Sequence, residues 1–403
     1  METTVREMDG GVAAAAGFVA AGVACGIKRD GRLDLALLHC PGGAVAAGVF
    51  TRNEVVAAPV VLARGRVPAR DVRAVVINSG CANACTGGAG MAAAEAVVAA
   101  VATALGCAPE QVLPASTGVI GDPLPVKRLT AGLPAVVAGL GASGATAFAD
   151  AILTTDTRRK EAAVEVELAG GRVRIGGCCK GSGMIHPNMA TMLAVVTTDA
   201  QLDPATCQTL LSTVVATTFN RISVDGDTST NDTLYLLASG SSGVAVSGEE
   251  DLVRLAAGLA RVCGSLALQI VADGEGATKL ATVQVTGGRD GLQVERVAAA
   301  ICRSPLVKTA LFGQDANWGR IVAAAGAVGA GITPETTRLW LDDLLLFAEG
   351  VGTGAGRSPA AAAAMHAHDL TLRLDLGQGE ACATYWTCDL SFDYVRINAE
   401  YRT

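Results

Sequence analysis

Through its first half the chain alternates short apolar runs of strand character with longer Ala-rich runs of helical period. That alternation confines it to a layered α/β or α+β fold. Residues 34–38, 55–62 and 72–78 read as buried strands, and residues 89–105 as a helix. A second helix is expected over 203–219, with Asp203 as its cap and Pro204 in its first turn, where a missing N–H costs nothing. Residues 162–168 alternate apolar and polar side chains, and Ala169, Gly170 and Gly171 lead into a second run at 172–175, which predicts a hairpin. Half of the 403 residues are hydrophobic but only 3% aromatic, so the layers must be filled by small side chains.

The pattern changes after the Gly and Ser cluster at 239–243, which places a boundary between a first region, 1–240, and a smaller α+β region, 241–403. Helices are expected at 249–263, 297–303 and 360–368, and strands at 278–286, 370–376 and 382–398. The glycine-rich run 350–356 lacks both the G-x-G-x-x-G spacing and a preceding strand, so it reads as a connection rather than a nucleotide loop.

Charge excludes whole classes of partner. With 31 Lys+Arg against 38 Asp+Glu the net charge is -7, which offers no broad positive field for nucleic acid. The small-apolar stretch 10–27 follows Glu2, Glu7 and Asp9 where a secretory signal needs basic residues, so neither secretion nor a membrane span is expected. The 12 cysteines have irregular spacing and no zinc-site pattern, as suits reduced thiols in a cytoplasm.

The most unusual stretch runs from Lys180 to Leu193, KGSGMIHPNMATML. A loop with two glycines and a proline enters an apolar strand whose first residue is Thr191. A threonine hydroxyl is inert until a base takes its proton, and the residue's own α-amine can be that base, since its pKa of about 7.7–8.0 leaves part of it uncharged near neutrality. A mid-chain threonine obtains such an amine only if the Ala190–Thr191 bond is cut, which its own hydroxyl could begin by attacking the preceding carbonyl.

This segment resembles the activation segment of the bifunctional glutamate N-acetyltransferase, or ornithine acetyltransferase, family of arginine biosynthesis. Further blocks agree in the same order: NSGCANACTG from Asn78, STGVIG from Ser116, TTDT from Thr154, SVDGDTSTND from Ser223, GEGATK from Gly274, FGQDANWGR from Phe312 and the terminal YVRINAEYRT from Tyr394. The resemblance covers essentially the whole chain. It implies an αββα sandwich of the self-processing aminopeptidase type and a precursor cut between Ala190 and Thr191. It also implies ping-pong transfer of acetyl from N-acetylornithine to glutamate through acetyl-Thr191, in an α2β2 assembly of the two cleaved chains.

The same resemblance implies the site. Thr191 is the nucleophile, and the Thr117 hydroxyl with the Gly118 N–H forms the oxyanion hole. Thr157, Lys180, Glu275, Asn398 and Thr403 contact substrate alongside Thr191. No cofactor or metal is implied, and acetyl-CoA as a second acetyl donor is left open. Cys81 stands where the family commonly has asparagine. Asp225, Asp227, Ser229 and Asn231 recur like a calcium loop, but Thr230 replaces the required glycine and Leu236 the closing glutamate. His366 and His368 read as a solvated helix end. Two other readings stay open: a self-processing amidohydrolase in which water resolves the acyl-enzyme, and a non-catalytic assembly protein whose chain is never cut.

Overall fold

The computed structural model describes residues 5–186 and 192–400. Among these the first strands are β1 (Val5–Met8), β2 (Val19–Val23), β3 (Leu35–Phe50), β4 (Ala69–Cys81), β5 (Val112–Val119), β6 (Lys160–Leu168), β7 (Gly171–Lys180), β8 (Leu193–Thr198), β9 (Ile222–Ser223) and β10 (Thr233–Ala238). All but β9 belong to one sheet in the order β1-β6-β7-β8-β10-β3-β4-β5, with β2 also paired to β3. β3 is long enough to serve two neighbourhoods. Its residues 35–39 pair with β2 and β4, while residues 45–50 pair with β10.

The two-residue period of a strand sorts the side chains into layers. On β8 and β10, Ala194, Val196, Leu234 and Leu236 face a core that also holds Leu211 and Val215 of α5 (Pro204–Thr217) and Leu259 and Leu266 of α6 (Gly248–Ala272). Leu193, Val195, Tyr235 and Leu237 point the other way, into a core shared with Ala36 and Leu38 of β3, Ile77 of β4 and Leu113 of β5. The alternate residues Leu35, Leu37, Val76 and Val112 turn outward to Val98 and Leu129, on two more helices over residues 87–105 and 126–138. The layers therefore run helix, sheet, sheet, helix.

Numbered in chain order, the helices before α5 are α1 (Ala58–Arg64), α2 (Gly87–Leu105), α3 (Val126–Ala138) and α4 (Ala145–Ala151). By length and composition alone α2 and α6 could each cross a bilayer. Val97, Val98 and Val101 of α2, and Leu255, Leu259, Leu266 and Ile270 of α6, are instead buried in the cores just described.

The second sheet takes β11 (Leu280–Gly288), β12 (Arg338–Leu341), β13 (Leu344–Ala348), β14 (Val351–Gly352), β15 (Asp369–Asp375) and β16 (Ala381–Cys388), in the order β14-β13-β12-β15-β11-β16-β9. Its core joins Val283, Leu339 and Leu372 to Val297 and Ile301 of α7 (Gly291–Arg303), Leu311 of α8 (Pro305–Phe312), Ile321 of α9 (Trp318–Gly326) and Met365 of α10 (Pro359–His366). In the last helix, α11 (Phe392–Glu400), Asn398 donates to Glu275, and Tyr394 donates to Asp225 of the first region.

Several expectations match closely. Asp203 caps α5, accepting from the Ala205 and Thr206 amides, and β6 and β7 form the expected hairpin. Two do not. The expected strand at 55–62 is α1, because Pro59 sits in a first turn and Val60 and Ala63 face inward at helical spacing, which a short apolar run does not reveal. The expected strand 382–398 stops at Cys388, where Asp389 accepts from the Thr278 and Lys279 amides at 2.7 and 3.0 Å, and the chain then turns into α11. The helix expected to end at 263 continues to Ala272 and so delivers Asp273 to the site.

Candidate active site

The parallel pairing of β4 and β5 sets Gly80 against Gly118. Gly118 has φ +133°, and a Cβ there would lie 2.3 Å from the Gly80 carbonyl carbon, so only glycine fits this turn. Its hydrogen bonds come from distant parts of the chain. Ser116 Oγ donates to Asn78 Oδ1 at 2.6 Å, and Asn231 Nδ2 donates to the Ser116 and Ala82 carbonyls at 2.9 and 2.7 Å. The turn presents Thr117 and Gly118 to a cleft lined also by Lys180, Gly183, Glu275 and Asn398.

Lys180 ends β7 and is buried. Its Nζ donates to Thr117 Oγ1 over a long 3.4 Å, which leaves the threonine hydrogen free for an acceptor in the cleft. Burial holds the Lys180 ammonium below its ordinary pKa; nearby Asp156 pulls it up and Lys160 adds to the fall.

Beneath Lys180 lies a buried charge triad. Lys160 Nζ reaches Asp156 Oδ1 at 2.6 Å and Asp273 Oδ2 at 2.5 Å, with the lysine side chain fully buried. Asp156 also accepts from the Gly181 amide at 2.7 Å and the Thr154 amide at 3.0 Å. Burial alone would raise its pKa, but the Lys180 and Lys160 charges and these donors outweigh it and bring it to about 2. Asp273 accepts the Thr157 amide at 3.1 Å and the Thr157 hydroxyl. Thr157 is therefore turned toward the triad and does not line the cleft; its neighbours Thr154 and Thr155 do.

Glu275 is held from three sides. Its amide donates to the Ser182 carbonyl at 3.0 Å, and its Oε2 accepts from Asn398 Nδ2 at 2.7 Å. Its carboxylate also lies so close to Gly183 that a Cβ there would sit 2.4–2.6 Å from it. Asp225, first noticed as part of a calcium-like repeat, uses its carboxylate on the loop that follows β7, accepting from the Met184 and Ile185 amides at 2.5 and 2.9 Å.

Ala190, Thr191 and Thr403 lie outside the described residues. The nearest described atoms on the chain after Thr191 are nevertheless informative. Leu193 pairs with Lys180 across the β7–β8 ladder, and the Met192 amide, bonded to the Thr191 carbonyl, donates to Asp232 Oδ1 at 3.0 Å. Asp232 is buried and its second oxygen has no hydrogen-bond partner among the described residues. Burial pushes its carboxyl well above the usual range, against the Met192 N–H and the Lys180 charge. A carboxyl so placed can hold a proton beside the start of β8.

Of the residues singled out from sequence, the cleft brings together Thr117, Gly118, Lys180, Glu275 and Asn398. Asp156, Lys160, Asp273, Asn231 and Asp232 were not singled out as site residues. Asp156, Asn231 and Asp232 fall inside quoted blocks, but nothing local marks them as members of a site, since their partners lie as many as 149 positions away.

Fold and site together define an αββα-layered enzyme with a cleft that combines the Thr117-Gly118 segment, a buried lysine and a carboxylate. A family model described as the ArgJ family matches residues 19–403, and the chain belongs to that family. It is 48% identical over 398 residues to the arginine biosynthesis bifunctional protein ArgJ of Symbiobacterium thermophilum, covering 98% of this chain and 99% of that one. To the protein of the same name from Geobacter sulfurreducens it is 46% identical, over 96% and 99% of the two chains. A solved structure of ornithine acetyltransferase complexed with ornithine from Mycobacterium tuberculosis is 43% identical, covers 46% of this chain and 98% of that one, and superposes with a TM-score of 0.42.

Proposed function

We propose that the chain cuts itself between Ala190 and Thr191 and then moves acetyl from N-acetylornithine to glutamate through an acetyl ester on Thr191. In the first half-reaction the Thr191 hydroxyl adds to the acetyl carbonyl while its α-amine takes the proton. The C–N bond then breaks, and ornithine leaves with that proton on its amine. In the second, the glutamate amine adds to the ester carbonyl, the C–O bond breaks, and the threonine hydroxyl is restored. In self-cleavage the Thr191 hydroxyl adds to the Ala190 carbonyl, the C–N bond breaks with the hydroxyl proton passing to the Thr191 nitrogen, and water hydrolyses the resulting ester to leave the free α-amine.

What carries this reading is that Thr117, Gly118, Lys180, Glu275 and Asn398 converge on one cleft. Preorganised donors at Thr117 and Gly118 suit the developing oxyanion. Lys180 supplies a point charge for an amino acid's α-carboxylate and Glu275 a partner for ornithine's ammonium. The names carried by the relatives support the pathway. An α2β2 assembly in the cytoplasm belongs to the same proposal.

Denaturing electrophoresis tests the cleavage: two bands of about half of 40.4 kDa are expected, and one full-length band in Thr191→Ala. Incubation with N-acetylornithine tests the transfer. Ornithine release should depend on glutamate, and a tryptic peptide beginning at Thr191 should gain one acetyl group when glutamate is withheld. Release unchanged by glutamate, with free acetate as product, would instead favour the hydrolase reading.

A further inference from the structure

A second cleft, of about 530 Å³, opens where the two regions meet and shares no lining residue with the candidate active site. α7 of the second region forms one wall, turning Glu295, Arg296, Ala299 and Arg303 toward it at helical spacing. His186, on the loop that follows β7, and Tyr385 of β16 line it as well.

The charges in this cleft do not balance. Glu295 is already paired, accepting from Arg221 at 3.2 Å. Arg296 and Arg303 are exposed and form no ion pair among the described residues. Their bonds to the protein backbone go to neutral carbonyls, Arg296 to Val328 at 2.6 Å and Arg303 to Ala299 at 3.3 Å. In a chain of net charge -7, two unmatched guanidinium groups on one helix face are a local reversal of sign.

His186 adds a donor. Burial, and then the Arg303 charge, hold its pKa down to about 4, so the ring is neutral near pH 7. Its Nε2 faces an Arg303 N–H at 3.5 Å and accepts from it, which leaves the ring hydrogen on Nδ1. Nδ1 is buried and has no partner among the described residues, an unfavourable position until an acceptor arrives.

Spacing selects the ligand. Arg296 and Arg303 stand seven residues apart on α7, two helical turns or about 10 Å, a span that suits two anionic groups better than one. Between them on the same face is Ala299, which offers a methyl group instead of a third polar side chain. We infer that this cleft binds a small dicarboxylate, one carboxylate on Arg296, the other on Arg303 and His186, and the methylene chain over Ala299. Each planar guanidinium can take a carboxylate through two parallel hydrogen bonds.

Calorimetric titration of the full-length protein with glutarate tests this without turnover, so the result stands apart from the acetyl-transfer reading. Glutarate should bind at one site per chain, about tenfold tighter than pentanoate, which keeps the five carbons but one carboxylate, and about tenfold tighter than inorganic phosphate. Arg296→Glu and Arg303→Glu should each weaken it by about tenfold or more, while Arg338→Glu, an equal charge change at an exposed position of β12, should shift it less than twofold. If either reversal lowers the denaturation midpoint, Arg296→Gln and Arg303→Gln take its place, with a weakening of about threefold or more expected. No glutarate binding at about 10 mM, pentanoate or phosphate bound as tightly, or glutarate binding that survives both substitutions, as it would in the first cleft, would each overturn the inference.

Discussion

Gly183→Ala offers a direct measure of how tightly the Glu275 carboxylate must be placed. Gly183 is outside the left-handed region, so alanine brings no backbone strain, only a new Cβ 2.4 Å from Oε2, 2.5 Å from Cδ and 2.6 Å from Oε1. Ordinary contact begins near 3.4 Å, so the carboxylate must retreat by about 1 Å. The same retreat stretches the 2.7 Å bond from Asn398 beyond hydrogen-bonding length. A displacement of about 1 Å in a positioning group can cost on the order of 100-fold in rate, or about 2.7 kcal/mol of transition-state stabilisation. The assay is kcat/KM for N-acetylornithine at saturating glutamate, with Gly88→Ala, where a Cβ meets nothing within 4 Å, as the comparison. Gly88→Ala should fall within twofold of the parent. A Gly183→Ala enzyme that is processed normally and retains more than a third of the parent kcat/KM would refute the argument that Glu275 needs this position.

Lys160→Met should destabilise the protein by about 3–5 kcal/mol, read as a lowered denaturation midpoint, because it strands two buried carboxylates; adding Asp156→Asn and Asp273→Asn should recover most of that loss. Asn231→Ala removes the donors of two buried carbonyls and should cost about 2–4 kcal/mol; a loss below about 0.5 kcal/mol would show that the Ser116–Gly118 segment holds without it. Asp156 has a folded pKa of about 2, below its ordinary 3.8, so its contribution is fully present above about pH 4 and is lost as pH falls toward 2. Acid titration of stability should therefore show a loss of about 2 kcal/mol over that window, shifted to higher pH in Lys160→Met.

What can be read from the chain is whatever short-range physics writes locally. The Asp203-Pro204 cap, the Ala169-Gly170 hairpin turn and the Ala-rich period of α2 each depend on residues within a few positions of one another, and each stands where expected. The layered class follows from their alternation, and the glycines around the site are visible as sequence even before Gly118 and Gly183 show what each would strike. Short apolar runs are the weak point, because periodicity cannot separate a strand from a helix over seven residues, as α1 demonstrates.

The tertiary structure decided the rest, since electrostatics and burial act across space rather than along the chain. Thr157 turns to Asp273, and Lys160 to the same carboxylate across 113 positions, only because α6 runs on to Ala272 and delivers it there. From one short stretch, Asp225 braces the loop after β7, Asn231 clamps the Ser116 carbonyl and Asp232 places a buried carboxyl beside Met192. The sequence determined the class of chain and most of the groups that line the cleft; packing alone selected which polar side chains lose water, and it is loss of water that raises Asp232 and lowers Lys180.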